Sequence, residues 1–171
     1  MSPLKNAVVS TTQPWHQSAA VGATSRSRFI LNLRIDTTDP LDSIVERLNA
    51  FQPTVLSVYP NIARSLARQQ MEGKLQISPR VVDTFSEAQT EDVRAAISKA
   101  WGVRAFNWYG ATETGVIASD CLEHRGLHIY EDLIIPEFVD ENNQPAAPGQ
   151  YSAKVLVTVL FSRTLPLIRY Q

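Results

Sequence analysis

Cysteine is almost missing from this chain of 171 residues, where Cys121 stands alone. No internal disulfide is available to it, which fits a reducing compartment. Glycine is sparse as well, and none of the seven glycines forms the G-x-G pair that follows a strand in dinucleotide-binding turns. An NAD-dependent oxidoreductase is disfavoured on that ground. The sixteen basic residues are spread without a run and the net charge is −1, so there is no electrostatic footprint for nucleic acid or for an anionic membrane. No segment approaches the ~18 apolar residues of a membrane span, and the opening MSPLKNAVVSTTQPW lacks an apolar core of signal-peptide length. A cytoplasmic location is the expectation. Repeats and low-complexity tracts are absent too.

What is present is a hydrophobic content of 44%, ordinary for one globular domain or part of a larger one. From Arg28 onward the apolar period switches repeatedly between two and three to four, as strand and helix alternate. RFILNLRI sets Phe29, Leu31, Leu33 and Ile35 against Arg28, Asn32 and Arg34, predicting a half-buried strand. Asp39 is placed to cap a helix with Pro40 at its first position and Ile44, Val45, Leu48 and Phe51 on one face. PTVLSVYP predicts the next strand, and Pro60 opens a helix that buries Ile62, Leu66 and Ala67 and stops at Gly73. RVVDTFS is a third strand. Thr90, Glu91 and Asp92 open a third helix that ends at Gly102, and RAFNWYG is a fourth strand. A further strand is expected at AVVST, Ala7 to Thr11.

Such alternation with short connections implies right-handed crossovers and an α/β fold with a mostly parallel sheet and flanking helices. After Gly115 the pattern changes to LHIYEDLIIPEFVDE, a polar turn NNQPAAPG and YSAKVLVTVLF, which predicts a smaller antiparallel β-hairpin layer. The expected division is an α/β nucleotide-binding part over residues 1–115 and a β-rich part over 116–171.

Ligands of parallel sheets sit beyond the strand C-termini, and two segments there are chemically distinctive: TFSEAQ, Thr84 to Gln89, and YGATETG, Tyr109 to Gly115. Tyr109 offers a flat face for a purine, and Gly110 and Ala111 are small enough for close backbone approach. Thr112 presents a hydroxyl suited to a phosphate oxygen, and Glu113 a carboxylate suited to Mg²⁺, which prefers carboxylate plus phosphate oxygens. The alternative for the same residues is a tight turn whose Glu113 is merely solvated.

The order SE…YGATE…PLIRY resembles the adenylate-forming superfamily of acyl-CoA synthetases, and most closely its phenylacetate–CoA ligase branch. Supporting stretches are LNAFQPTVLSVYPNIARSLA, AAISKAWGVRAFNWYGATETG, CLEHRGLHIYED and RTLPLIRYQ. The resemblance runs from about Pro40 to the end of the chain. It implies an ATP-dependent, AMP-forming ligase that joins a carboxylic acid to AMP and then passes the acyl group to coenzyme A. By the same resemblance, Tyr109, Gly110, Ala111 and Thr112 bind the nucleotide, Thr112 and Glu113 serve catalysis, and Glu113 holds Mg²⁺. Ser86, Glu87 and Ala88 match the family segment that packs on the other side of adenine, with Ser86 departing from the family's glycine. Tyr59 and Pro60 look like the stretch near the acyl pocket, although a strand ending in Tyr-Pro also reads as plain core and turn.

The resemblance further implies a phosphate-gripping loop, a ribose-binding aspartate and a lysine-bearing C-terminal lid domain. None of these is found among the 171 residues; VGATSRSR, the nearest match to the loop, lacks the glycines. The expectation is an internal part of a longer ligase, inactive by itself; a non-catalytic nucleotide-binding or interaction module is the alternative. The expected partners are a small-molecule carboxylic acid, ATP and coenzyme A, with a homodimer as an open assembly. CLEHRGLH sets Cys121, His124 and His128 at C-x2-H-x3-H spacing, three of the four ligands of a structural zinc; the other reading is a solvated polar loop. Trp15 and His16 could face a substrate, but a lone His beside a Trp is usually structural.

Overall fold

The computed structural model describes residues 3–13 and 27–171; Trp15, His16 and most of VGATSRSR lie outside them. Among the described residues the chain forms β1 (Leu4–Ser10), β2 (Ile30–Asp36), α1 (Leu41–Phe51), β3 (Val55–Val58), α2 (Pro60–Met71), β4 (Val81–Thr84), α3 (Glu91–Trp101), β5 (Phe106–Ala111), β6 (Gly115–Ser119), β7 (His128–Ile129), β8 (Ile134–Val139) and β9 (Lys154–Val159). Seven strands make one sheet in the order β2-β1-β3-β4-β5-β6-β7, and β8 and β9 make a second. The pairings from β2 across to β5 are parallel, whereas β5–β6, β6–β7 and β8–β9 are antiparallel. The predicted α/β fold with its smaller hairpin layer is the fold observed.

The crossovers β2–α1–β3, β3–α2–β4 and β4–α3–β5 all advance in one direction along the sheet. Right-handed connections that advance the same way lay their helices on the same face. That face holds the main core, where Ile44, Val45 and Leu48 of α1, Ala63 and Leu66 of α2, and Val93 and Ile97 of α3 meet Ala7, Val9, Ile35, Leu56, Val58 and Val82 of the strands. The intervening strand residues Asn6, Val8, Val55, Ser57, Val81 and Asp83 point to the opposite face and are only partly covered.

Local signals behave largely as their chemistry predicts. Pro60 is the first residue of α2, where its missing N–H is no loss. Thr90 precedes α3 with Glu91 and Asp92 in the first turn, and Gly102 closes that helix in the left-handed conformation with φ 70°. Helix α1 departs from expectation. It starts at Leu41 with Pro40 at the cap position, so Asp39 lies one residue too early to cap it, and its carboxylate pairs with Arg47 at 3.0 Å. Strand β2 also differs, since Phe29 is 64% exposed and Leu31 45% while Ile35 is buried. It is the edge strand, and only its C-terminal end lies under the helices. The predicted division at residue 115 falls inside the β5–β6 hairpin: the first sheet runs on to Ile129, while a second hydrophobic cluster begins with Ile117 and Ala118 and takes in Ile134, Val157 and Val159.

Leu56 is completely buried in a central strand. Leu56→Ala is expected to cost about 2–5 kcal/mol of stability, and Leu31→Ala on the edge strand less than about 1 kcal/mol. Urea unfolding of the two variants checks the contrast.

Candidate functional site

Parallel pairing of β4 with β5, through Asp83 opposite Phe106 and Thr84 opposite Asn107, brings TFSEAQ and YGATE side by side at the C-terminal edge of the sheet. Both segments line one open cavity of about 810 Å³, to which Phe85, Ser86 and Glu87 contribute from one loop and Trp108 to Thr112 from the other. Below them the cavity spreads over the face that the helices leave uncovered, as far as Asn6, Asn32, Arg34, Ser57 and Asp83.

Strand β5 runs on through Ala111, so YGATE begins as strand and ends as the turn into β6. The pairing register shifts between Tyr109 and Gly110. Gly110 is needed for space rather than for backbone freedom: a Cβ placed there would lie 2.4 Å from the Gly115 carbonyl oxygen. Gly115 completes the turn with φ 71°. Tyr109 is 48% exposed, which leaves a ring face free for stacking. Thr112 lines the cavity, and Glu113 stands exposed at the turn with no ion pair among the described residues. A carboxylate so placed, beside a hydroxyl at a cavity mouth, fits a Mg²⁺ that also takes phosphate oxygens.

The partner loop has its own anchors. Ser86 adopts φ 68°, in the left-handed region that favours glycine. The position thus keeps a glycine-like backbone although its residue is serine. The Glu87 carboxylate accepts from the Asn61 backbone N–H at 3.1 Å, tying this loop to the start of α2, and a negative charge there meets the positive end of the helix dipole. Ala88 follows on the same exposed loop. Tyr59 and Phe85 pack edge to face with ring centroids 5.3 Å apart, and the Tyr59 hydroxyl accepts from the Thr11 N–H at 3.3 Å. Tyr59 therefore belongs to the cavity wall.

Sequence reasoning missed Asp83. Its side chain points away from the helices, the Ser57 hydroxyl donates to it at 2.8 Å, and loss of hydration within the surrounding protein pushes its carboxyl up to about 6 against the weaker opposing effect of Ser57. A signal was present: Asn6, Asn32, Arg34, Ser57 and Asp83 are polar residues at alternate positions of parallel strands, which are usually apolar on both faces. At the end of β2, Asp36 is held well below the usual carboxylate range by hydrogen bonds, first from the Thr12 hydroxyl and then from Thr38 and the Thr12 backbone.

The three proposed zinc ligands are not assembled. Cys121 Sγ and His128 Nε2 lie 3.1 Å apart, but His124 turns to Asp120, with Nδ1 at 2.6 Å from its carboxylate, and packs on Phe106. The left-handed backbone at His124, φ 49°, reverses the loop and directs the ring there. Among the described residues no three His, Cys, Asp or Glu side chains gather where they could hold a metal ion, so the arrangement does not fit a zinc centre.

Over 126 residues, or 70% of its length, the chain is 31% identical to a phenylacetate–coenzyme A ligase of Thermus thermophilus, covering 28% of that protein. In sequence this chain is similar to phenylacetate–CoA ligases. A ligase of the same name from Escherichia coli K12 is 33% identical over 129 residues, 71% of this chain and 29% of its own length. The chain thus spans under a third of the length of the curated relatives it matches. No family model matches it. A crystal structure of 2-hydroxyisobutyryl-CoA ligase in an open conformation, in complex with 2-HIB-AMP and CoA, covers 99% of the chain with a TM-score of 0.80 at 20% identity, the chain covering 39% of that protein. Apo MatB from Rhodopseudomonas palustris covers 93% with a TM-score of 0.63 at 16% identity, with 32% of its own chain matched. These two likenesses establish the shared fold. No helix among the described residues is long and apolar enough to cross a membrane.

Two outcomes follow from the site's backbone and charge. Ser86→Gly is expected to leave stability unchanged or raise it by up to about 1 kcal/mol, and Ser86→Val to lower it by about 1–2 kcal/mol; thermal unfolding separates them. Asp83 has a folded-state pKa raised from 3.8 to about 6. Its contribution to stability is therefore full below pH ~3.8 and is lost as pH rises through ~6. Asp83→Asn should flatten stability across that window and raise it at pH 7 by at most about 3 kcal/mol, as read by urea midpoints from pH 4.5 to 7.5. The exposed Asp36 carboxylate acts in the opposite sense and only below pH ~3.8, outside that range.

Proposed function

We propose that the chain is part of an ATP-dependent, AMP-forming acid–CoA ligase whose acid is an aryl acid such as phenylacetate. The observation that carries this reading is the meeting of Ser86 and Glu87 with Tyr109–Thr112 around one cavity at the ends of parallel strands. The names of the curated relatives, and the 2-HIB-AMP and CoA bound by a protein of the same fold, support it. Residues 1–115 are read as a partial nucleotide-binding subdomain and 116–171 as a partial β-rich one.

In the reaction the acid's carboxylate attacks the α-phosphorus of ATP and expels pyrophosphate. The thiol of coenzyme A then attacks the acyl carbon and expels AMP. Tyr109 supplies a stacking face for adenine, Gly110 and Ala111 let the nucleotide approach the backbone, and the Thr112 hydroxyl donates to a phosphate oxygen. Ser86, Glu87 and Ala88 close the other side. Glu113 would hold Mg²⁺, which neutralises phosphate charge as pyrophosphate departs. Such chemistry needs alignment and charge stabilisation more than a strong acid or base. Toward the nucleotide the chain offers the Tyr109 ring, the Thr112 hydroxyl and, at the turn beside the cavity, the Glu113 carboxylate, so the chain alone is expected to bind adenine nucleotide weakly and not to complete the thioester.

In the protein expressed from the complete reading frame, Glu113→Gln is expected to slow acid-dependent pyrophosphate exchange by roughly 100-fold, about 3 kcal/mol, with little change in acid binding. An unchanged rate at saturating Mg²⁺ would remove Glu113 from the mechanism. Exchange with no acid at all would remove the ligase reading.

A further inference from the structure

We propose that the acid accepted by this site carries a hydrogen-bond donor, a hydroxyl or an amino group, at the end remote from its carboxylate, and that Asp83 together with Ser57 receives it. The proposal rests on the ligase reading above and adds the class of acid. It starts from the cross-strand rows on the uncovered face of the sheet. Ser57 and Asp83 are register partners on β3 and β4, and both line the cavity. One residue pair further toward the strand ends lie Tyr59 and Phe85, whose rings touch edge to face, and Trp108 lines the cavity beside them. Beyond these come Ser86 and the Tyr109–Thr112 segment.

Successive residues on one face of a strand are about 6.6 Å apart, close to the reach of one aromatic ring with its substituent. An aryl acid lying along the strands would place its carboxylate toward Ser86 and Thr112 and its ring against Tyr59, Phe85 and Trp108. The far end of the ring would then meet the row of Ser57 and Asp83.

That row is not made for hydrocarbon. A carboxylate has about four acceptor positions, and the Ser57 hydroxyl occupies one; no other donor among the described residues reaches Asp83. Arg34 lies on the same row but three strands away, roughly 14 Å, too far for a direct pair with Asp83. One row lower, the buried Asn6 Oδ1 also has no hydrogen-bond partner. A methyl or bare ring edge against Asp83 would strip water from the carboxyl and return nothing, whereas a donor satisfies it. Discrimination against the analogue lacking the donor is largest where the site's own polar group is left unpaired.

The test uses the protein expressed from the complete reading frame and measures pyrophosphate exchange with four acids: para-hydroxyphenylacetate, para-aminophenylacetate, phenylacetate and para-methylphenylacetate. The expected result is a kcat/KM at least about tenfold higher for the hydroxyl or amino acid than for the methyl acid. Asp83→Leu should reverse that order, and Ser57→Ala, which keeps the strand, should narrow the ratio several-fold even if the leucine variant fails to fold. A wild-type preference for the methyl or unsubstituted acid overturns the proposal, as does a ratio that neither substitution moves. Saturation-transfer NMR on the same four acids separates the two readings. Donor-selective binding without exchange would remove the ligase activity and keep the pocket, and no selectivity in either measurement would remove the pocket assignment.

Discussion

One buried amide holds the two site segments together. The pairing of β4 with β5 is short, resting on the register of Asp83 with Phe106 and Thr84 with Asn107. Gln89 reinforces it from the loop that follows β4, its Nε2 donating to Thr84 Oγ1 at 2.8 Å and to the Phe106 carbonyl at 3.2 Å. Its Oε1 in turn accepts from Arg94 Nε of α3 at 2.8 Å. Strand, loop, helix and neighbouring strand therefore meet on one side chain. Polar groups in such surroundings are costly to leave unpaired and specify geometry when fully paired. The distance between Ser86 and Tyr109, and hence the width of the cavity mouth, depends on this knot.

The second constraint is directional. Because the three helical crossovers advance the same way, the sheet is apolar where Val9, Leu56, Val58 and Val82 meet helices and polar where Asn6, Ser57 and Asp83 do not. The same strands thus perform two jobs through the two-residue alternation of their side chains. Stability is vested in one parity of residues, and the lining of the cavity in the other.

Much of the fold could be read from the sequence because its signals are local. Pro60 and Gly102 act through their own backbone preferences, and the α1 stripe of Ile44, Val45 and Leu48 is set by helical period. The exposure of Phe29 and Leu31 could not be read, since it depends on β2 being an edge strand, a property of topology and not of the strand's own residues. Asp39 misled because α1 begins one residue later than its pattern suggested, which puts Pro40 and not Asp39 at the cap position. Within the site, the Tyr109–Thr112 and Ser86–Ala88 segments were visible as unusual small and polar runs at strand ends. Asp83 was hidden inside a strand, and its significance appears only once β3 and β4 are placed side by side. The spacing of Cys121, His124 and His128 suggested convergence along the chain, but the left-handed turn at His124 sends that ring elsewhere.

Strand β6 belongs to two structures at once. It pairs with β5 to form the far side of the YGATE turn, and it gives Ile117 and Ala118 to the cluster built with Ile134, Val157 and Val159. Tyr130 N–H to the Ile117 carbonyl at 3.0 Å, and the Ser119 and Tyr130 hydroxyls at 2.7 Å, fasten the same strand again just before the β8–β9 hairpin. The turn that carries Thr112 and Glu113 is consequently fastened on its far side to the hairpin's core. The anchoring of that turn thus lies in packing outside the cavity, among residues that do not line it.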